Sequence, residues 1–496
     1  MRNEISHTAE QLLQQPEGKT LEFKRDLSSP RNLLKTLVAF ANSAGGRLVI
    51  GVDDDRQLVG VADPLDDEER ICNLIADSIA PRLVPNVELL SVGDRTLLAV
   101  EVFPSSSRPH YLKAQGPELG VLVRLGSSNR QAGPDLIEEL RRSAQGVVFD
   151  ELPMPELSLE DLDLPAVQRQ FGAGRALDEK ALLTLKLLRR EQGRLVPTQG
   201  AVLLFGKDRE LYFPDAWAQC GRFRGLDKVD IFDQAEIHEH LPDAVAAIEL
   251  FLKKHAFKTA QFGAMRREDV WSIPLTILRE AIVNALVHSD YSQRGSPIRI
   301  AFFDNRIDIE SPGLLLPGMT VDDMKSGVSR IRNPVIARAF REFGLIEQWG
   351  SGVRRIFADA ASQGLPEPTI TEIATGVRLS IYLQEPVRIE TAPKPQTGAE
   401  SGPGVESGAE SGVESGVESR VLQLLKLQDL SKSAIAQAMG KAKPNRHLNE
   451  LMSRLLASGL VAYTLPDKPN SRLQKYRLTD SGLERLLQGH TTETLR

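Results

Sequence analysis

Residues 399–419 repeat Glu-Ser-Gly, mostly one Val or Ala apart, and a stretch of that kind cannot be part of a packed core. Ordering a backbone costs about 1–2 kcal/mol per residue, and these side chains have too little apolar surface to offset it. Extended by Ala392-Pro393-Lys394-Pro395-Gln396, the repeat reads as a flexible tether rather than a partner-binding repeat. A chain of 496 residues is also too long for one core, so three or four domains are expected around this break.

Composition narrows the class. At 41% hydrophobic and 26% charged residues the chain is globular. It has no run of eighteen apolar residues and no charged-then-apolar leader, so neither a membrane span nor a secretion signal is expected. Cys72 and Cys220, far apart, argue for a reducing cytoplasm and against a zinc site or a disulfide framework. The net charge of −6 does not advertise nucleic-acid binding, so any basic surface must be local.

The stretch most suggestive of chemistry is Glu280-Ala281-Ile282-Val283-Asn284-Ala285-Leu286-Val287-His288-Ser289-Asp290-Tyr291. Glu280, Asn284 and His288 recur every fourth residue and share one side of a helix, while Ile282, Val283, Leu286 and Val287 anchor it. Asn is a weak helix former and is odd at mid-helix without a task. A carboxylate one turn before an amide can set a metal-bound phosphate beside a general base, which reads as a nucleotide site. The alternative is a surface helix with unremarkable polar residues. Downstream, 298–303 alternates like a strand, Asp304-Asn305 turns, and 307–310 returns. Residues 314–343, punctuated by Pro317-Gly318, Gly327 and Asn333-Pro334, suit a mobile flap. Gly344 to Ile356 is a glycine-rich turn opening a helix, where backbone N–H groups can face a phosphate.

This order of helix, hairpin, flap and glycine turn resembles the GHKL, or Bergerat-fold, ATP-binding domain over residues 261–383. Ser311-Pro312-Gly313, Arg332-Asn333-Pro334 and Gly350-Ser351-Gly352 match the divergent branch seen in bacterial regulators. The resemblance implies ATP and Mg²⁺ as cofactors, with Asn284 holding Mg²⁺ and Glu280 orienting or activating water in any hydrolysis. Gly350, Ser351 and Gly352 would cradle phosphates, and His288, Ser311 and Gly313 complete the nucleotide-facing set. One departure stands out. The family usually carries an Asp in a D-x-G triplet that bonds adenine, and here Ser311 stands at that point.

Beyond the tether, three helices followed by strands at 460–463 and 474–478 make a winged helix-turn-helix. Residues 420–477 hold eleven Lys/Arg against three acids, so this segment is basic while the whole chain is not. Its third helix would enter the major groove with Lys443, Asn445, Arg446, His447 and Asn449, and Arg472 and Lys475 on the wing would meet the backbone. Protein docking is the alternative use.

Near the N-terminus, Gly18-Lys19-Thr20 suggests a Walker motif, but Leu13 stands where its first glycine is required. What remains is Glu22-Phe23-Lys24, a helix through Leu33 to Phe40, Ala41-Asn42-Ser43-Ala44-Gly45-Gly46, and a buried strand ending Ile50-Gly51-Val52-Asp53-Asp54. The succession resembles the Schlafen-type AlbA-like domain over residues 10–145, a family associated with nucleic-acid binding. Some Schlafens cut RNA with two glutamates, an aspartate and a lysine, and Glu17, Glu22, Lys24 and Asp53 stand at matching places. Otherwise Glu22 and Lys24 pair across a strand edge and Asp53 belongs to a turn. Arg47, Arg82, Arg108, Lys113, Arg124 and Arg130 could contact phosphate in either case. Between these parts, 201–206 and 218–223 read as buried strands of a connector, and His238 and His240 as a helical surface.

The expected fold class is α+β multidomain. It comprises an AlbA-like α/β domain (1–148), an α/β connector (149–260), a GHKL-like α/β sandwich (261–385), the linker (386–419) and a winged helix-turn-helix (420–490). The resemblances point to a cytoplasmic, ATP-binding, DNA-binding transcriptional regulator, with a homodimer as its assembly. The alternatives are a metal-dependent nuclease acting on RNA or DNA, with a role in defence, and a GHKL fold serving only dimerisation.

Overall fold

Strand β1 (Leu21–Lys24) lies parallel to β2 (Gly46–Ile50), with helix α1 (Pro30–Asn42) crossing between them. Leu33, Leu34, Leu37, Val38 and Ala41 give α1 its buried side, and Pro30 starts it without wasting a donor. The return into β2 needs glycine. Gly45 sits at φ +80°, and a Cβ there would come within 2.7 Å of the Val102 carbonyl oxygen. Strands β3 (Asn86–Val92) and β4 (Arg95–Val102) complete a sheet of order β1-β2-β4-β3, covered by α1 and α2 (Pro64–Ser78). The hairpin β5 (Leu122–Leu125) and β6 (Ser128–Gln131), then α3 (Pro134–Ala144), follow.

The structure is a computed structural model. It describes residues 9–172, 177–256, 258–262, 267–271, 273–346 and 352–384 of a unit spanning 1–391. In a second unit, 392–496, it describes 421–422, 424–426, 430–438, 448, 451–452, 455–456, 458–464, 475–479, 481 and 483. The Glu-Ser-Gly tether lies outside the described residues.

A six-stranded sheet dominates the rest of the first unit. Its strands are β7 (Ala218–Arg224), β8 (Asp230–Ile237), β9 (Ile298–Phe302), β10 (Arg306–Pro312), β11 (Thr369–Ile373) and β12 (Gly376–Tyr382), in the order β8-β7-β9-β10-β12-β11. Only β7 and β9 pair in parallel. One apolar core runs from Met154 to Leu383, so the sheet and its core cross the point at which the sequence suggests a connector ending. Helix α6 (Leu275–His288) packs between α5 (Leu241–His255) and α9 (Gly352–Ser362) and touches β10.

Three expectations are corrected. The apolar run at 201–206 is helix α4 (Gln199–Phe205), capped by the Thr198 hydroxyl accepting from Ala201 N. The segment 314–343 is not all loop: it holds α7 (Val321–Ser326) and α8 (Pro334–Glu342), and α8 buries Val335, Ile336 and Phe340. His238 and His240 lie on the link from β8 into α5 rather than on a helical surface.

In the second unit, helix α10 (Lys432–Ala438) and the antiparallel pair β13 (Val461–Tyr463) and β14 (Tyr476–Leu478) share a core with Val421, Leu425, Leu448, Met452 and Leu455.

Candidate functional site

Ile277, Leu278, Ala281, Ile282, Ala285 and Leu286 sink one side of α6 into the core. Glu280, Asn284 and His288 are left half-buried on the wall of a cavity also lined by Ser311, Gly313 and Gly352. Asn284 Nδ2 lies 3.4 Å from Glu280 Oε1. Gly352, the first residue of α9, sits against both: a Cβ there would collide with the Glu280 carboxylate and lie 3.2 Å from Asn284 Nδ2. The structure therefore brings the acid-and-amide helix and the end of the glycine turn together. Gly350 and Ser351 lie outside the described residues.

Desolvation pushes His288 down to about 4, so a neutral imidazole faces the cavity near pH 7. Ser311, next to last in β10, pairs with β12, and Gly313 follows the strand at φ +99° with room for no side chain, because a Cβ would be 2.8 Å from Asp290 Cβ and 3.0 Å from Arg332 Cζ. Much of the remaining wall comes from 314–316, Met319, Met324 and 327–332, with Arg341 and Arg355 also on the lining.

The resemblance marked Arg332-Asn333-Pro334 without roles for its members. Arg332 pairs with Glu139 and donates to the Leu314 carbonyl, and burial pulls its guanidinium down to about 10. Asn333 Nδ2 donates to the carbonyls of Val287 (2.8 Å) and Ser289 (2.7 Å), joining the end of α6 to the start of α8. The available signal was the placing of a charged and an amide residue inside an otherwise apolar, helix-opening string.

The N-terminal carboxylates are arranged differently. Glu22 accepts from Arg124 Nη2 and, at 2.5 Å, from Lys24 Nζ. Glu17 accepts from Phe23 N at 2.8 Å, and Asp53 from Gln57 N at 2.7 Å within a turn. Among the described residues no group of three or more His, Cys, Asp or Glu could hold a metal ion. Glu17, Glu22 and Asp53 are thus not grouped as a set that could hold a metal ion, and each has a hydrogen-bond partner. Arg124 is only 1% exposed, so it braces Glu22 and is no phosphate contact.

Of the residues expected at DNA, Lys443, Asn445, Arg446, His447, Asn449 and Arg472 lie outside the described residues. Lys475 is described, exposed, and next to β14.

Fold and cavity define the class as an α+β multidomain protein carrying a Schlafen-type AlbA-like domain and a GHKL-like, ATPase-like domain. Residues 17–133 match the family "Schlafen, AlbA_2", and residues 295–381 match "Putative ATP-dependent DNA helicase recG C-terminal". Residues 417–479 match "Filamentation induced by cAMP protein Fic-like, C-terminal domain". A crystal structure of the DIP2311 protein from Corynebacterium diphtheriae is similar at 19% identity over 95% of this chain and 94% of that one, with a TM-score of 0.41. A solution NMR structure of the N-terminal domain of the "Putative ATP-dependent DNA Helicase RecG-related Protein" from Nitrosomonas europaea is 31% identical over 25% of this chain and 93% of that one, with a TM-score of 0.22. No curated protein matches the chain. Among the described residues, no helix is long and apolar enough to cross a membrane.

Proposed function

We propose that the chain is an ATP-binding, DNA-binding regulator whose nucleotide site is the cavity under residues 314–332. One observation carries this reading: Glu280, Asn284 and Gly352 meet on one wall, where a side chain on Gly352 has no room. A backbone bare of Cβ at the start of an eleven-residue helix suits an anion, since unpaired N–H groups and the helix dipole both favour negative charge.

The side chains present fit a magnesium-bound nucleotide. Asn284 offers an amide oxygen suited to Mg²⁺, and Glu280 a carboxylate that can orient water in any hydrolysis. Arg330, Arg341 and Arg355 line the same cavity and can pair with phosphate oxygens. Neutral His288 adds no charge of its own, and the Ser311 hydroxyl stands where a base could be bonded. Bound there, ATP supplies the triphosphate charge that these groups compensate.

The DNA part rests on the AlbA-like domain and on the basic segment 420–477, read as a winged helix with eleven Lys/Arg against three acids. A change of cavity occupancy would bias residues 314–343 between two positions, by as much as the nucleotide prefers one of them. The assembly in this reading is a homodimer.

Isothermal titration of the full chain with ATP and Mg²⁺ tests it. Wild type is expected to bind, and Asn284→Ala to bind about tenfold more weakly or worse, about 1.4 kcal/mol. Equal binding by the two proteins, or none by wild type, overturns the reading.

A further inference from the structure

Leu314 and Leu315 line two hollows at once. On one side is the cavity holding Glu280 and Asn284; on the other is a crevice formed by Lys19, Ser43, Arg124 and Glu139 of the AlbA-like part, with Glu372. The segment is therefore a single layer of chain between the candidate nucleotide site and the N-terminal domain.

Polar contacts fasten its outer side. Gly318 N donates to the Ser43 carbonyl at 2.9 Å. Leu315 N donates to Glu372 Oε1 at 3.0 Å, while Glu372 Oε2 pairs with Lys19 Nζ at 2.6 Å. Arg332, at the far end of the cavity wall, holds the Leu314 carbonyl and Glu139 of α3. These pairs are shielded from water: the side chains of Lys19 and Glu372 are 14% and 6% exposed, those of Arg332 and Glu139 8% and 11%. A shielded ion pair cannot slide gradually, because a half-separated charge has neither water nor partner. A move of 314–318 must carry the N-terminal domain along or break these contacts.

The contacts continue inward on the N-terminal side. Ser43 Oγ accepts from Arg124 N at 2.8 Å, and Arg124 pairs with Glu22 on β1. The wall is thus tied to the turn and strand whose motifs mark that domain.

We propose that residues 314–318 are a shared wall through which occupancy of the nucleotide cavity sets the position of the AlbA-like domain, with the Lys19–Glu372 pair as the lock. The inference rests on the nucleotide reading above and adds the route. Neither Lys19 nor Glu372 lines the nucleotide cavity, so the lock can be altered while the cavity is left alone.

Hydrogen exchange of the full chain, read by mass spectrometry with and without ATP and Mg²⁺, tests the route. In wild type, nucleotide is expected to slow exchange in 275–332 and also in 41–45 and 134–144, the latter by about fivefold or more. Lys19→Met, and Glu372→Gln, which keeps an acceptor for Leu315, should bind ATP within about twofold of wild type. In both, 41–45 and 134–144 should no longer respond. Lys19→Arg, which keeps the cation and leaves the Glu372 acceptor for Leu315 in place, should keep the response, which a merely structural loss would not do. A wild type protected in 275–332 alone overturns the shared wall and leaves the nucleotide site standing. Variants responding like wild type overturn the lock. No protection anywhere, with no binding in the titration, removes the nucleotide reading and this inference together.

Discussion

Asp150 caps a helix whose first donor lies 185 residues later: its Oδ2 accepts from Val335 N at 2.7 Å and from Ile336 N at 3.1 Å. Both donors belong to the first turn of α8, whose own preceding residue, Asn333, makes no side-chain cap. Replacing Asp150 by Ala leaves these buried N–H groups unpaired, and a loss of about 2 kcal/mol is expected in chemical denaturation. Burial pushes the carboxyl up to about 7 from 3.8, against the pull of the same two N–H groups. Between those values the folded state holds a proton that the unfolded state has released, so the contribution of Asp150 falls as pH rises through the window. Asp150→Asn should therefore gain on wild type from about pH 4 to about pH 7 and stay level above, a trend that paired urea melts would show or refute.

Gly352→Ala tests the cavity wall without replacing a polar side chain. The new methyl must displace the Glu280 carboxylate, and such overpacking costs about 1–3 kcal/mol. ATP binding should weaken along with it, since Glu280 and Asn284 lose their arrangement. Gly133→Ala, where a Cβ meets nothing within 4 Å, serves as the control and should leave ATP binding unchanged. Calorimetry with both variants decides it: wild-type ATP affinity in Gly352→Ala would place the nucleotide elsewhere.

How much of this was legible beforehand follows from the range of each signal. The α6 stripe and the hairpin of β9 and β10 are local patterns, and each lies where the sequence predicts. An unbroken apolar string such as 201–206 suits a helix buried all round as well as a strand, and every residue of 200–205 is buried. Asn333-Pro334 reads as loop punctuation, yet Pro at the first turn is also a helix start. The contacts that tie the cavity wall to the N-terminal domain had no local signal: Arg332 and Glu139 are 193 residues apart, and Lys19 and Glu372 are 353.

His288 gives a pH test of opposite sign to Asp150. Its folded value is depressed to about 4 by desolvation from 6.5, so between those values only the unfolded chain takes up the proton. Stability is then fully present above about 6.5, falls as pH drops towards 4, and levels off below. His288→Gln should remove this share of the acid loss. Melts of wild type and variant at pH 4, 5, 6 and 7 check it, and parallel curves at all four would show that His288 titrates normally in the fold.

Glu22 separates a structural carboxylate from a metal ligand. Its oxygens are taken by Lys24 and by Arg124, and Arg124 is buried to 1%. Glu22→Ala leaves that guanidinium without its charge partner, and such losses run to about 3–5 kcal/mol. Replacing both partners, as in Glu22→Leu with Arg124→Met, should recover most of the stability, because an apolar pair of similar size asks for no compensation. Asp53 offers the contrast. It accepts from Gln57 N in an exposed turn, and Asp53→Ala should stay within about 1 kcal/mol of wild type. If the carboxylates instead served a metal-dependent nuclease, Asp53→Ala and the double variant would both abolish Mn²⁺-dependent cleavage of labelled RNA and DNA regardless of stability. The braced geometry of Glu22 favours the first outcome: a large stability loss at Glu22 and a small one at Asp53.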